Sequence, residues 1–357
     1  MTNGSQQPGD TFQQKTQQLA GLFFAGIIGA ILATLIGAPL PFMLGGLFGA
    51  FPLVYWASTR EQRLFFPPRL RQVFVAVIGT MIGGTVSPDL VSQAPGMAVS
   101  LFGMAAFVPL SLGVGFVICR VVGGYDRTTA LFAAMPGGLI EAIEMGRKKG
   151  GDVPTLVLAH FLRIVCVVVM VPLGFLLLTG EAVGSAGGQT LSTGPAALSD
   201  VVKIAALVLA GIILGRFLRM PASHLVGPMV LSAVLHGVGL VETSSPNWLL
   251  NTSQLIVGVG LATNFLGASL SLLWRVFKTT LVQVSGVGIV GVSVAWLCAM
   301  FSPVGVDALI LSFAPGGVSE MGLIALSLSL SPVIVTVHHV FRIFLTISFV
   351  GLLAKWL

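Results

Sequence analysis

Pro136-Gly137-Gly138, followed by Glu141, His160 and Arg163, is restated later in the chain as Pro315-Gly316-Gly317, followed by Glu320, His339 and Arg342. The spacing is constant: Glu141 and Glu320, His160 and His339, and Arg163 and Arg342 are each 179 residues apart. A repeat this long in a chain of 357 residues means two structurally equivalent halves. Pro and Gly-Gly break helical hydrogen bonding at the same place in each half.

The surroundings of the motif set the solvent. The chain is 55% hydrophobic and only 8% charged, against about 25% charged residues in a soluble domain. Such a chain is an all-α polytopic membrane protein. Runs of about 20 apolar residues place spans near 19–36, 40–57, 72–87, 97–119 and 154–178 in the first half. The second half has them near 201–218, 222–240, 252–273, 279–300 and 333–354. Two shorter segments, 128–147 and 307–330, carry the Pro-Gly-Gly breaks. Backbone freed by such a break must be buried in protein or line a wet cavity, so each segment is expected to be a re-entrant hairpin or broken helix.

Charge gives the topology. If both broken segments are re-entrant, Lys15, Arg60, Arg63, Arg69, Arg71, Arg120, Arg127, Arg147, Lys148, Lys149, Arg216, Arg219, Arg275, Lys278 and Lys355 all face the cytoplasm. Lys203 falls on the far side with Asp89, Glu181, Asp200, Glu242 and Asp307, and Arg163 and Arg342 lie within spans. Five spans per half force the second half to enter upside down. The expected fold is therefore two inverted five-span repeats, 19–178 and 200–357, with a cytoplasmic amino terminus. Residues 1–18 form a disordered cytoplasmic tail, and the Gly/Ser/Thr-rich stretch 179–199 an external linker. The two breaks should meet near the midplane.

The chemistry follows from the same residues. A helix that starts just after Gly137-Gly138 or Gly316-Gly317 presents free N–H groups that suit an anion. Pro136, Gly137, Gly138, Pro315, Gly316, Gly317 and Ser319 are thus candidate binding residues, with Arg163 and Arg342 for a solute carboxylate. An Arg at mid-span needs a partner or a cavity. Glu141 and Glu320 are its natural partners, and with His160 and His339 they are candidates for carrying a coupling H+ or Na+. A structural Glu–Arg pair pinning each break to the following span is the competing reading. His338, His224 and His236 have no chemical counterpart in the other half and are read as packing residues, whereas Gln72, Thr80, Thr263 and Asn264 could complete a polar pocket.

The duplicated Pro-Gly-Gly-(Leu/Val)-x-Glu with a following His-x-x-Arg resembles the AbrB-type integral membrane protein family over essentially residues 19–357. Its repeated unit is called the AbrB duplication, and its members are often labelled ammonia monooxygenases. The resemblance implies a multi-pass protein of the bacterial inner membrane. The layout is also similar, in architecture only, to citrate and glutamate carriers with a Gly-Gly hairpin after the fourth span of each half. The expected function is a secondary transporter of a small anionic organic solute by alternating access. No enzyme, cofactor, metal site or nucleic-acid partner is expected, and a homo-oligomer is left open. Copper-based ammonia oxidation needs a histidine cluster, and among the five His only His338 and His339 are adjacent. The three cysteines are far apart, which argues against disulfides. A non-transporting regulatory component is the alternative, against which stands the lack of a soluble domain in the sequence.

Overall fold

A computed structural model describes residues 12–38, 40–60, 62, 64–86, 94–179, 197–220, 222–328 and 330–356. Residues 1–11 of the expected tail, 180–196 of the expected linker, and Arg63, Asp89 and Glu181 lie outside the described residues. The described residues form fourteen α-helices and no strand. The first half contains α1 (Phe12–Leu35), α2 (Pro41–Thr59), α3 (Pro68–Gly83), α4 (Ala98–Val121), α5 (Arg127–Ala133), α6 (Leu139–Lys148) and α7 (Val153–Thr179). The second contains α8 (Leu198–Phe217), α9 (Ser223–Gly237), α10 (Asn247–Ala262), α11 (Leu270–Ala299), α12 (Val306–Phe313), α13 (Val318–Ser327) and α14 (Pro332–Leu353).

Seven helices, α1, α2, α4, α7, α8, α11 and α14, are long and apolar enough to cross a membrane. Their outward side chains are apolar too: Phe24 is 68% and Ile213 68% exposed, an arrangement suited to lipid rather than water. Three expected spans fall short, since α3, α9 and α10 have 16, 15 and 16 residues, or about 24 Å of helix against about 30 Å of hydrocarbon. Local chemistry ends them early. Pro67 and Pro68 start α3. Thr263 and Asn264 end α10 by donating to the Gly260 carbonyl at 2.8 and 3.1 Å. These two polar residues, expected in a pocket, are thus turned onto their own helix.

Two boundaries also differ from the sequence expectation. Residues 12–18, placed in the tail, are the first turns of α1. The break expected around Arg275 and Lys278 is absent, and the 30-residue α11 runs straight through it. A helix of that length, about 45 Å, carries its charges beyond the apolar section, and the Lys278 ammonium lies 5.2 Å from the Trp274 ring centroid.

The helices form two groups. One holds α1, α2, α3, α8, α9 and α10; the other holds α4–α7 and α11–α14. The principal contacts between them run from α3 to α13 and α14, and from residues 263–265 to α7. Elsewhere two apolar cavities of about 440 and 660 Å³ separate helices of the two groups.

Glycine sets the packing in the six-helix group, where backbones touch. A Cβ at Gly79 on α3 would stand 2.5 Å from the Leu225 carbonyl oxygen on α9, and one at Gly258 on α10 would stand 2.1 Å from that of Met43 on α2. Gly79 and Gly258 occupy equivalent places in the two halves, as do Met43 and Leu225. The contact is therefore reciprocal between the two halves. Gly258→Ala is expected to destabilise by about 1–3 kcal/mol, because the obstacle is backbone that can yield only by separating α2 from α10. Gly113→Ala on α4, where a Cβ meets nothing within 4 Å, should leave the detergent unfolding midpoint unchanged. Equal midpoints for both variants would contradict this packing.

The halves are equivalent but not identical. Helix α13 is largely buried, whereas its counterpart α6 buries only Ala142 and Gly146. The outer face of α6 carries Arg147 and Lys148, both paired to Glu144 at 2.8 and 3.4 Å. Gly322 on α13 packs against Ile82 of α3, with a Cβ position 2.6 Å from Ile82 Cδ1.

Candidate functional site

Each Pro-Gly-Gly segment is a helix, a break and a second helix. Asp126 caps α5, its carboxylate accepting from the Thr128 and Thr129 amides at 2.9 Å each. The helix ends at Ala133, and its last carbonyls need donors. Three side chains supply them. His160 Nε2 donates to Phe132 O at 3.1 Å, Gln283 Nε2 to Ala133 O at 3.2 Å, and Arg163 Nη1 to Met135 O. In the second half Arg342 does more alone, donating from Nη1 to Ala314 O at 2.5 Å and from Nη2 to Gly316 O at 2.6 Å. The planar guanidinium fork suits two converging carbonyls, and its charge faces the negative end of the preceding short helix.

This corrects the expected Glu–Arg pairing. No ion pair joins Glu141 to Arg163 or Glu320 to Arg342 among the described residues. The reason is geometric: the arginines hold the C-terminal end of the first short helix, and the glutamates start the second. Glu320 Oε2 lies 2.0 Å from where a Gly317 Cβ would be, and Glu141 Oε2 lies 3.3 Å from the same point at Gly138. Each carboxylate folds back over its own helix start, where an external anion was expected, and meets the positive end of the dipole. Ser319 Oγ donates to Glu320 Oε2 at 2.9 Å.

The two breaks differ in backbone and burial. Gly138 has φ +71°, a left-handed conformation that favours glycine, while Gly317 is extended at φ −79°. Glu320 is 5% exposed and Glu141 is half-buried. Ile140, the counterpart of Ser319, is exposed.

The breaks converge within the eight-helix group. Cβ positions at Gly137 and Gly138 lie 3.3 and 3.1 Å from Ile343 and Ile347 of α14, so the first break rests on the helix that carries Arg342. Pro136 and Pro315 stand at the tips of the same turns. His160 and His339 are fully buried beside the arginines, and His339 Nδ1 donates to Val335 O of its own helix at 2.9 Å. Neighbouring His338 pairs with Ser100 of α4 at 2.8 Å, consistent with packing. His236 is tied to Ser232 and Thr243. Thr80 donates to Ala76 O of its own helix, and its carbonyl accepts from Ser232 at 2.8 Å. No charged residue lines either apolar cavity, so neither is the polar site.

Two contributors were missed in the sequence. Gln283 has no polar counterpart in the first half, where Met104 stands, and only tertiary structure brings it to α5. Arg71, read as a cytoplasmic loop charge, lies in the first turn of α3. Its Cδ is 3.1 Å from the Cβ position of Gly260 on α10. Pro67-Pro68 is a helix-start signal that would have placed it.

Known proteins match the chain over most of its length. The model of the family described as "Transition state regulatory protein AbrB" matches residues 47–357. The chain is 25% identical over 357 residues to "Uncharacterized protein YhjN" of Bacillus subtilis (strain 168), covering 92% of this chain and 91% of that protein. It is 21% identical over 270 residues to "Putative regulator AbrB" of Escherichia coli (strain K12), covering 75% and 77% respectively. Neither relative carries an enzyme's name. With the doubled break, its arginine caps and a family match over most of its length, this chain belongs to the AbrB family.

Proposed function

We propose that the protein is a secondary carrier of the bacterial inner membrane, moving a small organic solute with an anionic group by alternating access. The two halves are inverted repeats, the two breaks re-enter from opposite faces, and the amino terminus is cytoplasmic. The eight-helix group, which holds both breaks, moves against the six-helix group. One observation carries this reading: equivalent helices α6 and α13 occupy different environments, with α13 packed against α3 and no comparable packing of α6 against α10 among the described residues. A two-fold pair held unequally is what one state of a two-state carrier looks like, since the other state exchanges the two environments. The narrow contact between groups and the apolar cavities beside it leave room for such an exchange.

In this reading Pro136, Gly137, Gly138, Pro315, Gly316, Gly317 and Ser319 line the solute path. Arg163 and Arg342 hold the breaks in shape, and Glu141 and Glu320 carry a coupling H+ or Na+, with His160 and His339 behind them. The regulator name of one relative favours a second reading, a membrane component that moves nothing.

Gradient-driven uptake by proteoliposomes, across a broad panel of organic acids and amino acids, separates the two. Glu320→Gln should retain wild-type abundance and unfolding midpoint but lose at least about tenfold of uptake, as expected for a group whose charge, not shape, matters. No uptake of any solute by the wild type would reject the carrier.

A further inference from the structure

We infer that the apolar cavity between α2, α7 and α11 is a binding site for one acyl chain of an anionic phospholipid, whose headgroup lies at Lys278 and Arg275. The site stands on the shape of the cavity and the charge at its mouth, and does not depend on the carrier reading.

The cavity, of about 440 Å³, lies where α2 and Phe265 of the six-helix group face α7 and α11 of the eight-helix group. All three helices are long and apolar enough to cross a membrane. Every lining residue is apolar, from Leu47 and Phe51 on one side to Val165 and Leu273 on the other. The cavity opens at the surface, where Phe48 is 53%, Leu270 59% and Trp274 57% exposed. An exposed apolar concavity takes an apolar partner, and beside membrane-spanning helices that partner is lipid. Along α11 the lining runs from Leu270 to Leu281. That is roughly 16 Å of helix at 1.5 Å per residue. A hydrocarbon core is about 30 Å thick, so the cavity is one leaflet deep and takes one extended chain.

Charge selects the lipid. Trp274 lines the mouth, and the Lys278 ammonium is 5.2 Å from its ring centroid. Arg275 and Lys278 are both exposed, and neither has an ion pair among the described residues. No acidic residue occurs in α2, α7 or α11. Tryptophan marks headgroup level at a membrane interface, and a basic pocket between spanning helices suits an anionic headgroup.

The other half of the chain provides the comparison. The cavity of about 660 Å³ is the equivalent one. Its Val86 stands 179 residues before Phe265, and its Met229, Val230 and Ala233 stand 182 residues after Leu47, Phe48 and Phe51. At the places of Trp274, Arg275 and Lys278 that half has Pro95, Gly96 and Val99. Such a cavity therefore forms without the indole or the cations. Their presence at one cavity of the pair serves a charged headgroup, not the packing.

Native mass spectrometry of the purified protein in detergent, titrated with phosphatidylglycerol or phosphatidylcholine, tests the site. One phosphatidylglycerol should bind at least about fivefold more tightly than phosphatidylcholine, the factor expected for each cation near an anionic headgroup. Lys278→Gln should lose about fivefold of that affinity, and adding Arg275→Gln should bring the two lipids level. Val165→Phe fills the cavity and keeps both cations, and should weaken phosphatidylglycerol by at least a similar factor. If it does not fold, Leu281→Phe at the exposed end of the lining takes its place. Val234→Phe, in the equivalent cavity, should leave the affinity unchanged.

Equal affinity for the two lipids in the wild type would overturn the proposal. So would full phosphatidylglycerol preference after loss of both cations, or full affinity in the cavity-filling variant. A dimer in place of bound lipid would assign the face to a second copy of the chain and overturn it as well.

Discussion

Arg342→Ala should abolish the folded state of the second break and lower the unfolding midpoint more than any other single change at the site. The Arg342 side chain is 1% exposed and satisfies both the Ala314 and Gly316 carbonyls. Removing it leaves the buried Gly316 carbonyl without its donor, at about 1–3 kcal/mol, and leaves Ala314 O with the Gly316 amide at 2.8 Å. It also removes the positive charge facing the end of α12 and leaves a cavity the size of a guanidinium. Arg342→Lys keeps charge but cannot reach two carbonyls with a planar fork, so it should recover only part of the stability. Arg163→Ala should cost less, because Gln283 and His160 continue to hold Ala133 O and Phe132 O. The check is a set of unfolding midpoints in detergent. Arg163→Ala more destabilised than Arg342→Ala would mean that the arginines pair with something other than these carbonyls.

Cysteine pairs placed at Ile82/Gly322 and at Ile143/Leu261 should crosslink in mutually exclusive states. Ile82 and Gly322 touch in this structure. Ile143 and Leu261 are their equivalents at the 179-residue spacing, and α6 is not packed against α10 as α13 is against α3. In the proposed carrier, exchange of the two environments brings the second pair together and separates the first. In a background with Cys119, Cys166 and Cys298 replaced, all of them free and buried, a short thiol crosslinker should trap either pair. Near-complete loss of uptake should follow, with recovery on reduction. Both pairs crosslinked at high yield in one molecule, or full uptake by the Ile82/Gly322 crosslinked protein, would refute the exchange.

Much of the architecture was legible in the linear chain because it rests on local rules. Proline and paired glycine interrupt a helix wherever they occur, so the breaks after Ala133 and Phe313 followed from Pro136 and Pro315. The equivalence of the halves followed from spacing alone, and the low charge gave the membrane. Element ends were less legible. The fates of Arg71, Arg275 and Lys278 depend on whether a charge at a helix end lies in a loop or on a turn of helix. Apolar-run length cannot decide that; the helix-start signal of Pro67-Pro68 could have done so for Arg71.

The site itself needed the tertiary structure. Sequence gives residue types and their spacing, and Glu with Arg in an apolar chain reads as a pair because opposite charges attract. In the folded chain the competing partners are main-chain carbonyls at the end of a short helix, which carry no sequence signature at all. Arg163 and Arg342 go to those carbonyls because buried acceptors without donors are more unfavourable than glutamates that already rest on helix starts. The duplication was thus determined by sequence, since it is a property of order along the chain. Only the fold decided that Gln283 reaches α5 and that α6 and α13 sit in unequal surroundings, because each depends on which helices are brought together across the two halves.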